Sequence, residues 1–333
     1  MARVGVVAIG RNEGERLRRC LQSLDPHVQP VVYVDSGSSD GSPKLACSMH
    51  VAVVNLDLAI PFTAARARNA GFEQLLSIAP ECEYVQFVDG DCEIDRGWLP
   101  AAILALDADA KIVVVCGRRR ERHPEASIYN RLCDLEWDTP VGEALACGGD
   151  ALMRVSALRD VGGYRNELIA GEEPELCVRL RARGGKIHRL PIEMTLHDAD
   201  MTRFGQWWAR NVRAGHAFAE VSRLHQGNAF GIWCRETRSN WIWGCAIPLL
   251  IILPSWFSWG ASLGLFVGYP LLMVKIYRWR RKQGDAAQVA RAYAFYCTLG
   301  KFPQMLGQAK FTRNRLLGRK NRLIEYKSSQ VSE

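Results

Sequence analysis

The sequence predicts an α/β fold built on a mainly parallel central sheet, followed by a C-terminal, membrane-associated helical region. Three observations carry this. In the first half, short β-rich runs alternate with helical stretches, as in βαβ units. Two of those runs end on an aspartate, Asp35 and Asp89, and polar motifs gather at such ends, where parallel sheets bind their ligands. Further on, the 34 residues from Trp241 to Val274 contain no Asp, Glu, Lys or Arg.

The elements follow in order. Val4 to Ile9 is an apolar run with charge directly behind it (Arg11, Glu13, Glu15, Arg16), too short for a signal peptide and suited to a buried first strand. Asn12 to Leu24 has helical spacing. Val31 to Val34 is a second strand, closed by Asp35 and a Gly-Ser-Ser-Asp-Gly turn that leads into a helix. Val51 to Leu56 is a third strand, Ala64 to Leu76 a helix and Tyr84 to Val88 a fourth strand. A further strand is expected at Ile112 to Cys116. Helices are expected at Ile128 to Trp137, Glu175 to Arg183 and Phe204 to Leu224, and after Cys147-Gly148-Gly149-Asp150. Short strands are expected at Lys186 to Leu190 and Glu193 to Leu196.

Three regions result: a catalytic domain over 1–225, an apolar helical hairpin over 226–282 that spans or re-enters a membrane, and a basic amphipathic tail over 283–333. A single membrane helix needs about 20 residues, so a charge-free stretch of this length, interrupted by Pro248, Pro254 and Pro270, implies a return path. Basic residues flank both sides: Arg235 and Arg238 before, Lys275, Arg278, Arg280, Arg281 and Lys282 after. Tyr293, Phe295, Tyr296 and Phe302 then mark a helix expected to lie on lipid headgroups. The net charge is +8, yet the region from Lys275 to Lys327 holds fourteen basic and two acidic residues, so the remainder is slightly acidic. That distribution argues against nucleic acid as a partner of the whole chain and for anionic lipid at its C-terminal end. The eleven cysteines, an odd number, form no CxxC pair, from which neither a disulfide framework nor a zinc site is expected, and most are expected to be small core residues in a reducing compartment.

The chemistry centres on Asp89-Gly90-Asp91. Two carboxylates two residues apart at a strand end can share a hard divalent cation, Mg²⁺ or Mn²⁺, that also takes phosphate oxygens. Farther along, Arg210 and Arg213 share one helix face, placed to meet a diphosphate or a lipid phosphate, or simply solvated.

Taken together, the opening Val-Ala-Ile-Gly-Arg-Asn-Glu, the Val34-Asp35-Ser-Gly-Ser-Ser-Asp-Gly turn, Ala67-Arg68-Asn69-Ala-Gly71, the DGD, Gly148-Gly149-Asp150 with Val161-Gly-Gly-Tyr164, and Gly171-Glu172-Glu173 with Leu176-Cys-Val-Arg-Leu180 resemble the family 2 glycosyltransferases in kind and order. The resemblance runs from about Val4 to Asp198 and implies the Rossmann-like GT-A fold. It implies that Asp35 contacts the nucleotide base, that Arg68 stands near the nucleotide, and that Asp89 and Asp91 form the metal pair, with Asp91 the direct ligand. It also places Asn12, Glu13, Gly148 and Gly149 at the nucleotide sugar, Glu173 (or Glu172) as catalytic base, and His197 as a third metal ligand or an ordinary core histidine. Ser36 stands where the family often has a second aspartate, and Glu173 where it usually has aspartate, one methylene shorter.

The activity so implied is inverting, metal-dependent transfer of one sugar from a nucleoside-diphosphate sugar, a UDP-sugar by first expectation, to a lipid-linked or glycan acceptor. The setting implied is cell-envelope or exopolysaccharide synthesis at the cytoplasmic face of the inner membrane, with membrane lipids as partners. A processive polysaccharide synthase is disfavoured, because Gln206 is followed by Trp-Trp-Ala-Arg rather than the Gln-x-x-Arg-Trp of such enzymes. A nucleotidyltransferase lacks its Gly-rich phosphate loop. A catalytically inactive scaffold of the same fold stays open.

Overall fold

The computed structural model describes residues 4–319 and 323–324. The rest of the expected basic tail, including Lys320, Arg322 and Lys327, lies outside the described residues. The chain divides into two compact units, Met1–Asp200 with Asn228–Phe230, and Met201–Gly227 with Gly231–Glu333.

The first unit is a sheet flanked by helices. In chain order its elements are β1 (Val4–Gly10), α1 (Glu15–Ser23), β2 (Val31–Asp35), α2 (Ser42–Ser48), β3 (Ala52–Asn55), α3 (Ala64–Ile78), β4 (Tyr84–Asp89) and β5 (Cys92–Ile94). They continue with α4 (Trp98–Ala108), β6 (Ile112–Glu121), α5 (Ile128–Trp137), β7 (Gly142–Ala144), β8 (Ala151–Arg154), α6 (Val155–Asp160), α7 (Glu172–Ala182) and β9 (Lys186–His197). The nine strands form one sheet in the order β3-β2-β1-β4-β8-β6-β9-β5, with β7 pairing β9. Strands β1, β2, β3, β4, β6 and β9 run the same way, while β5, β7 and β8 run against them. The sheet is therefore mostly parallel, as expected. Its central strands are buried on both faces, which explains why β1, β2 and β4 read as continuous apolar runs rather than alternating ones. Helix α3 packs directly on this layer: a Cβ at Gly71 would stand 2.4 Å from Val7 Cγ1 and 2.8 Å from Val34 Cγ2.

Two local expectations are corrected. The segment after Asp150 is not at once helical; β8 comes first and pairs antiparallel with β4 and β6, inserting an apolar strand between them. The two short strands expected near residue 190 are one, β9, continued through Pro191 and Ile192 by register shifts against β6.

The second unit is helical: α8 (Phe204–Leu224), α9 (Cys234–Trp241), a π-helical turn (Ile242–Ala246), α10 (Ile247–Ile252), a 3₁₀ stretch (Ala261–Val267), α11 (Gly268–Lys282), α12 (Ala287–Leu299) and α13 (Lys301–Leu316). Helix α8, expected inside a catalytic domain ending at 225, belongs to this unit. The reason is its crossing with α13. A Cβ at Gly215 would lie 1.9 Å from the Gln304 carbonyl oxygen, and one at Gly307 2.0 Å from that of Val212, so two glycines bring the backbones into contact.

Of the hairpin expected to span or re-enter a membrane, the spanning form finds no support. Among the described residues no helix is long and apolar enough to cross a membrane. The charge-free stretch is cut into short pieces by Pro248 at the head of α10, by turns over residues 253–260, and by positive φ at Trp259 and Gly260. The amphipathic helix expected after Ala286 is two helices, α12 and α13. Of its aromatic residues, Tyr296 packs on Trp207 with centroids 5.2 Å apart and Phe302 stacks on Tyr269 at 5.9 Å, so both serve the unit's own packing.

Candidate active site

The site grows from strand register. Parallel pairing sets Gly10 beside Asp35 and Ile9 beside Asp89, so the carboxyl ends of β1, β2 and β4 are level. Asp35 is buried. Its Oδ2 accepts from the Gly37 and Ser38 N–H groups at 2.9 and 2.8 Å, and its Oδ1 accepts from the Tyr33 hydroxyl at 3.1 Å. In this structure it therefore caps the turn that follows β2. Asn12 binds the same turn: its N–H donates to Ser38 Oγ and its Oδ1 accepts from Ser39 N–H, both at 2.8 Å. Glu13 pairs with Arg16 at 2.9 Å.

Asp89 is held from both sides. Arg68, on the first turns of α3, donates to its Oδ1 at 2.8 Å, and Arg119, on β6, donates to its Oδ2 at 3.1 Å. Its N–H donates to Asp150 Oδ1 at 2.9 Å. Burial would raise its carboxyl, but Arg68 and Arg119 outweigh that and hold it below the usual carboxylate range. Arg68 itself is 3% exposed and its second nitrogen donates to Glu172 Oε1 at 2.7 Å, so one guanidinium ties the DGD turn to the head of α7. Burial opposes its charge, yet Asp89 and Glu172 raise it above the ordinary arginine value. The loop before β8 approaches this cluster closely: a Cβ at Gly149 would stand 2.9 Å from Asp89 Oδ2 and 3.0 Å from Arg68 Nη2. The neighbouring Gly148 has φ 85°, open to glycine without strain.

Asp91 turns the other way. Strand β5 pairs antiparallel with β9, setting Cys92 opposite His197, and His197 Nε2 lies 3.4 Å from Asp91 Oδ2, both residues buried. Behind the ring, His197 Nδ1 is 3.6 Å from Glu121 Oε2 and has no hydrogen bond. Burial lowers the imidazole, but Asp91 and Glu121 outweigh it and raise it above the usual value. An imidazole nitrogen beside a carboxylate oxygen, with a second carboxylate behind the ring, is a donor set that suits Mn²⁺ or Mg²⁺ once phosphate oxygens join it. The charges agree: Asp89, Asp91, Asp150 and Glu172 are four carboxylates, set against the two guanidinium groups of Arg68 and Arg119. The residues therefore fit a divalent cation, which Asp91 and His197 could hold. Asp89, both of whose oxygens hold arginine, is the less available partner.

The two candidate bases at the head of α7 are separated. Glu172 pairs with Arg68. Glu173 Oε1 instead accepts from the Cys147 N–H at 2.7 Å and from the thiols of Cys147 and Cys177, each at 3.0 Å. Burial raises its carboxyl above the usual value, against those hydrogen bonds. No ion pair to Glu173 is present among the described residues. Arg210 lies on α8, in the other unit.

Sequence reasoning missed three members of the cluster. Asp150, wholly buried, accepts from Arg119 Nε at 3.0 Å and from Thr195 Oγ1 at 2.8 Å. Arg119 extends over the Trp137 ring, 5.5 Å from its centroid. Glu121 backs His197. The signal for two of them was a run of three arginines and a glutamate closing an apolar strand, Arg118 to Glu121.

Residues 6–162 match the model of the family described as Glycosyl transferase family 2. The chain is 30% identical over 246 residues to the pre-mycofactocin glycosyltransferase of Mycobacterium tuberculosis, covering 67% of this chain and 48% of that protein. It thus spans about half the length of that relative. It is 26% identical over 234 residues to glycosyltransferase AglE of Haloferax volcanii, covering 66% of this chain and 74% of the relative. Among solved structures, it resembles mannosyltransferase PcManGT from Pyrobaculum calidifontis, determined with GDP-Man and Mn²⁺. The TM-score is 0.59 at 19% identity, over 88% of this chain and 86% of the other.

Proposed function

The chain belongs to glycosyl transferase family 2, with the GT-A fold, and from that premise we propose that it moves one sugar from a nucleoside-diphosphate sugar to an acceptor hydroxyl, inverting the anomeric centre. The observation that carries this is the double grip of Arg68, at 2.8 Å on Asp89 and 2.7 Å on Glu172, which sets the DGD turn and the acidic head of α7 around one volume.

In this mechanism Asp91 and His197 would hold the divalent cation, Mn²⁺ or Mg²⁺, as Mn²⁺ accompanies the donor in the Pyrobaculum enzyme. When bound there, it would supply charge neutralisation to the diphosphate leaving group. Arg68 and Arg119, fixed by Asp89 and Asp150, keep positive charge at the same place without reorganising during the reaction. Glu173 takes the proton of the acceptor hydroxyl as its oxygen attacks C1 opposite the leaving group. Glu173 is preferred over Glu172 because Glu172 is committed to a cation, whereas Glu173 has none and its carboxyl is raised by burial, which brings it nearer the operating pH of a base. Asp35 and Asn12 shape the turn after β2 that receives the base of the nucleotide.

In this reading the acceptor lies at a lipid surface. Trp256, Phe257 and Trp259 are 88%, 85% and 98% exposed, with Lys275, Arg278, Arg281 and Lys282 exposed on the following helix. This supports a lipid-linked acceptor reached by a protein lying on, rather than through, the cytoplasmic face of the inner membrane, in cell-envelope or exopolysaccharide synthesis.

The test is release of nucleoside diphosphate from a panel of nucleotide sugars with Mn²⁺ and lipid. Release from one donor is expected, lost in Asp91→Ala. Glu173→Gln is expected to keep donor binding by calorimetry and to lose transfer. Full transfer by Glu173→Gln would reject the base assignment. No donor binding by the intact chain would reject the function.

A further inference from the structure

Beside the oxygen-rich DGD turn lies a sulfur-rich cluster that the mechanism uses only through its carboxylate. Cys147, Glu173 and Cys177 are all within ligand-sharing distance: the thiols stand 3.8 Å apart and each is 3.0 Å from Glu173 Oε1. We propose that Cys147, Cys177 and Glu173 form a binding site for a thiophilic divalent cation, Zn²⁺ by chemical class, and that its occupancy withdraws Glu173 from catalysis.

The geometry is that of a metal dithiolate. Two thiolates on one tetrahedral zinc, each with Zn–S about 2.3 Å, stand about 3.8 Å apart, which is the separation found here. Two of the ligands are fixed by one rigid element. Glu173 and Cys177 are four residues apart on α7 and face the same way, as helical pairs at that spacing do. The third, Cys147, comes from the loop before β8 and is only half-buried, which leaves a route for the ion, while Cys177 is fully buried. The carboxylate oxygen has to withdraw by about half an ångström to reach a zinc–oxygen bond of roughly 2.1 Å, a movement within the reach of a glutamate side chain.

Ligand softness separates this site from the catalytic one. Thiolates select zinc and related soft ions, whereas Mg²⁺ and Mn²⁺ prefer carboxylate and phosphate oxygen. The Asp91–His197 pair therefore takes the cofactor, and Cys147–Glu173–Cys177 takes the intruder. On binding, each Sγ–H bond is replaced by an Sγ–metal bond and two protons pass to solvent. No electron is transferred. With the Glu173 oxygen coordinated, the acceptor hydroxyl loses its base. This last consequence rests on the function proposed above; the binding itself does not.

The experiment is a titration of the full reduced chain with Co²⁺, a spectroscopic stand-in for Zn²⁺, in a phosphine reductant. A thiolate-to-metal charge-transfer absorption is expected, reaching one ion per chain and abolished by equimolar Zn²⁺. It should be lost in Cys147→Ala and Cys177→Ala, and kept in Cys47→Ser, an exposed cysteine elsewhere, and in Asp91→Asn. Circular dichroism establishes that the variants fold, and Cys147→Ala, at the half-buried position, is the variant with least risk. Absence of the band, or its persistence in both cysteine variants, would overturn the site. Zinc added at saturating Mn²⁺ should lower transfer at least tenfold in the parent and not in Cys147→Ala. Equal inhibition of both would assign the effect to displacement of Mn²⁺ and overturn the regulatory half, while a band with no effect on transfer would leave the site standing and count against Glu173 as base.

Discussion

At the scale of single residues, the site is a balance of buried charge, and Arg68 is its pivot. Removing one partner of a buried ionic cluster leaves the others uncompensated, at a cost of about 3–5 kcal/mol. Arg68→Met should therefore destabilise the first unit by about 3 kcal/mol, read as a fall in the urea midpoint, and should weaken donor binding. A midpoint unchanged from the parent would mean that Asp89 and Glu172 are solvated rather than held. Glu173 supplies a prediction in pH. Its carboxyl is raised by burial, so it carries a proton to higher pH than an ordinary glutamate, and a base must be unprotonated. The acidic limb of the transfer rate should lie above the usual carboxylate range; a limb at the ordinary glutamate value would exclude it as the group responsible. The opposite sign holds for Glu175, whose carboxyl is lowered: burial is outweighed by Arg179 and Arg165, so its share of stability is present above the unfolded carboxylate value and disappears as pH falls through the lower, folded one. Much of the site was legible in the sequence, because Asp35, Arg68, Asp89 and the Glu172-Glu173 pair lie in short motifs at strand ends and helix heads. Arg119 and Glu121 stand in a charged run at the end of β6 and Asp150 in the Gly148-Gly149-Asp150 motif, but their place in the site depends on pairing between β6, β8 and β9 that those local patterns do not specify.

At the scale of elements, the motifs prove to be joints as well as ligands. Asn69, one residue past Arg68, donates to the Tyr164 carbonyl at 2.8 Å and accepts from its N–H at 2.9 Å. Arg179 donates to the carbonyls of Val161 and Gly163 at 2.6 and 2.7 Å. The Val161-Gly-Gly-Tyr164 loop is thus clamped between α3 and α7, and through α3 and α7 it supports Arg68 and Glu172. Helices with strong periodicity, such as those over Ile128–Trp137 and Phe204–Leu224, were legible to the residue. Strands β5, β7 and β8 were not: three or four residues are too few to show a period, and only their partners define them. The α8–α13 crossing tests the element scale. With Cβ positions 1.9 and 2.0 Å from opposing carbonyl oxygens, Gly215→Ala and Gly307→Ala must separate the helices. Overpacking of this kind costs about 1–3 kcal/mol or more. Each variant should show a lower thermal midpoint in the helical unit, while Gly205→Ala on the same helix, where a Cβ meets nothing, should not.

At the scale of the whole molecule, the uneven charge and the unevenly placed aromatics have a joint consequence. Among the described residues no helix is long and apolar enough to cross a membrane, because prolines and left-handed residues cut the apolar stretch into short pieces. The same breaks leave Trp256, Phe257 and Trp259 at turns, almost fully exposed, which a globular surface seldom tolerates in one cluster. An indole offers roughly 200 Å² of surface, and at ~25 cal/mol per Å² half-submersion in a lipid interface contributes about 2.5 kcal/mol per ring. Exposed Lys275, Arg278, Arg281 and Lys282 add about 1 kcal/mol each against anionic headgroups. The full chain should therefore sediment with anionic vesicles. Trp256→Ala and Trp259→Ala should each weaken partitioning by roughly seventyfold, with donor hydrolysis in detergent unchanged. Raising salt should release the electrostatic part and leave the aromatic part, because the first is screened and the second is not. Failure to bind either anionic or neutral vesicles, or binding that ignores both tryptophans, would place the acceptor away from the membrane, and the exposed apolar cluster would then need a protein partner to cover it.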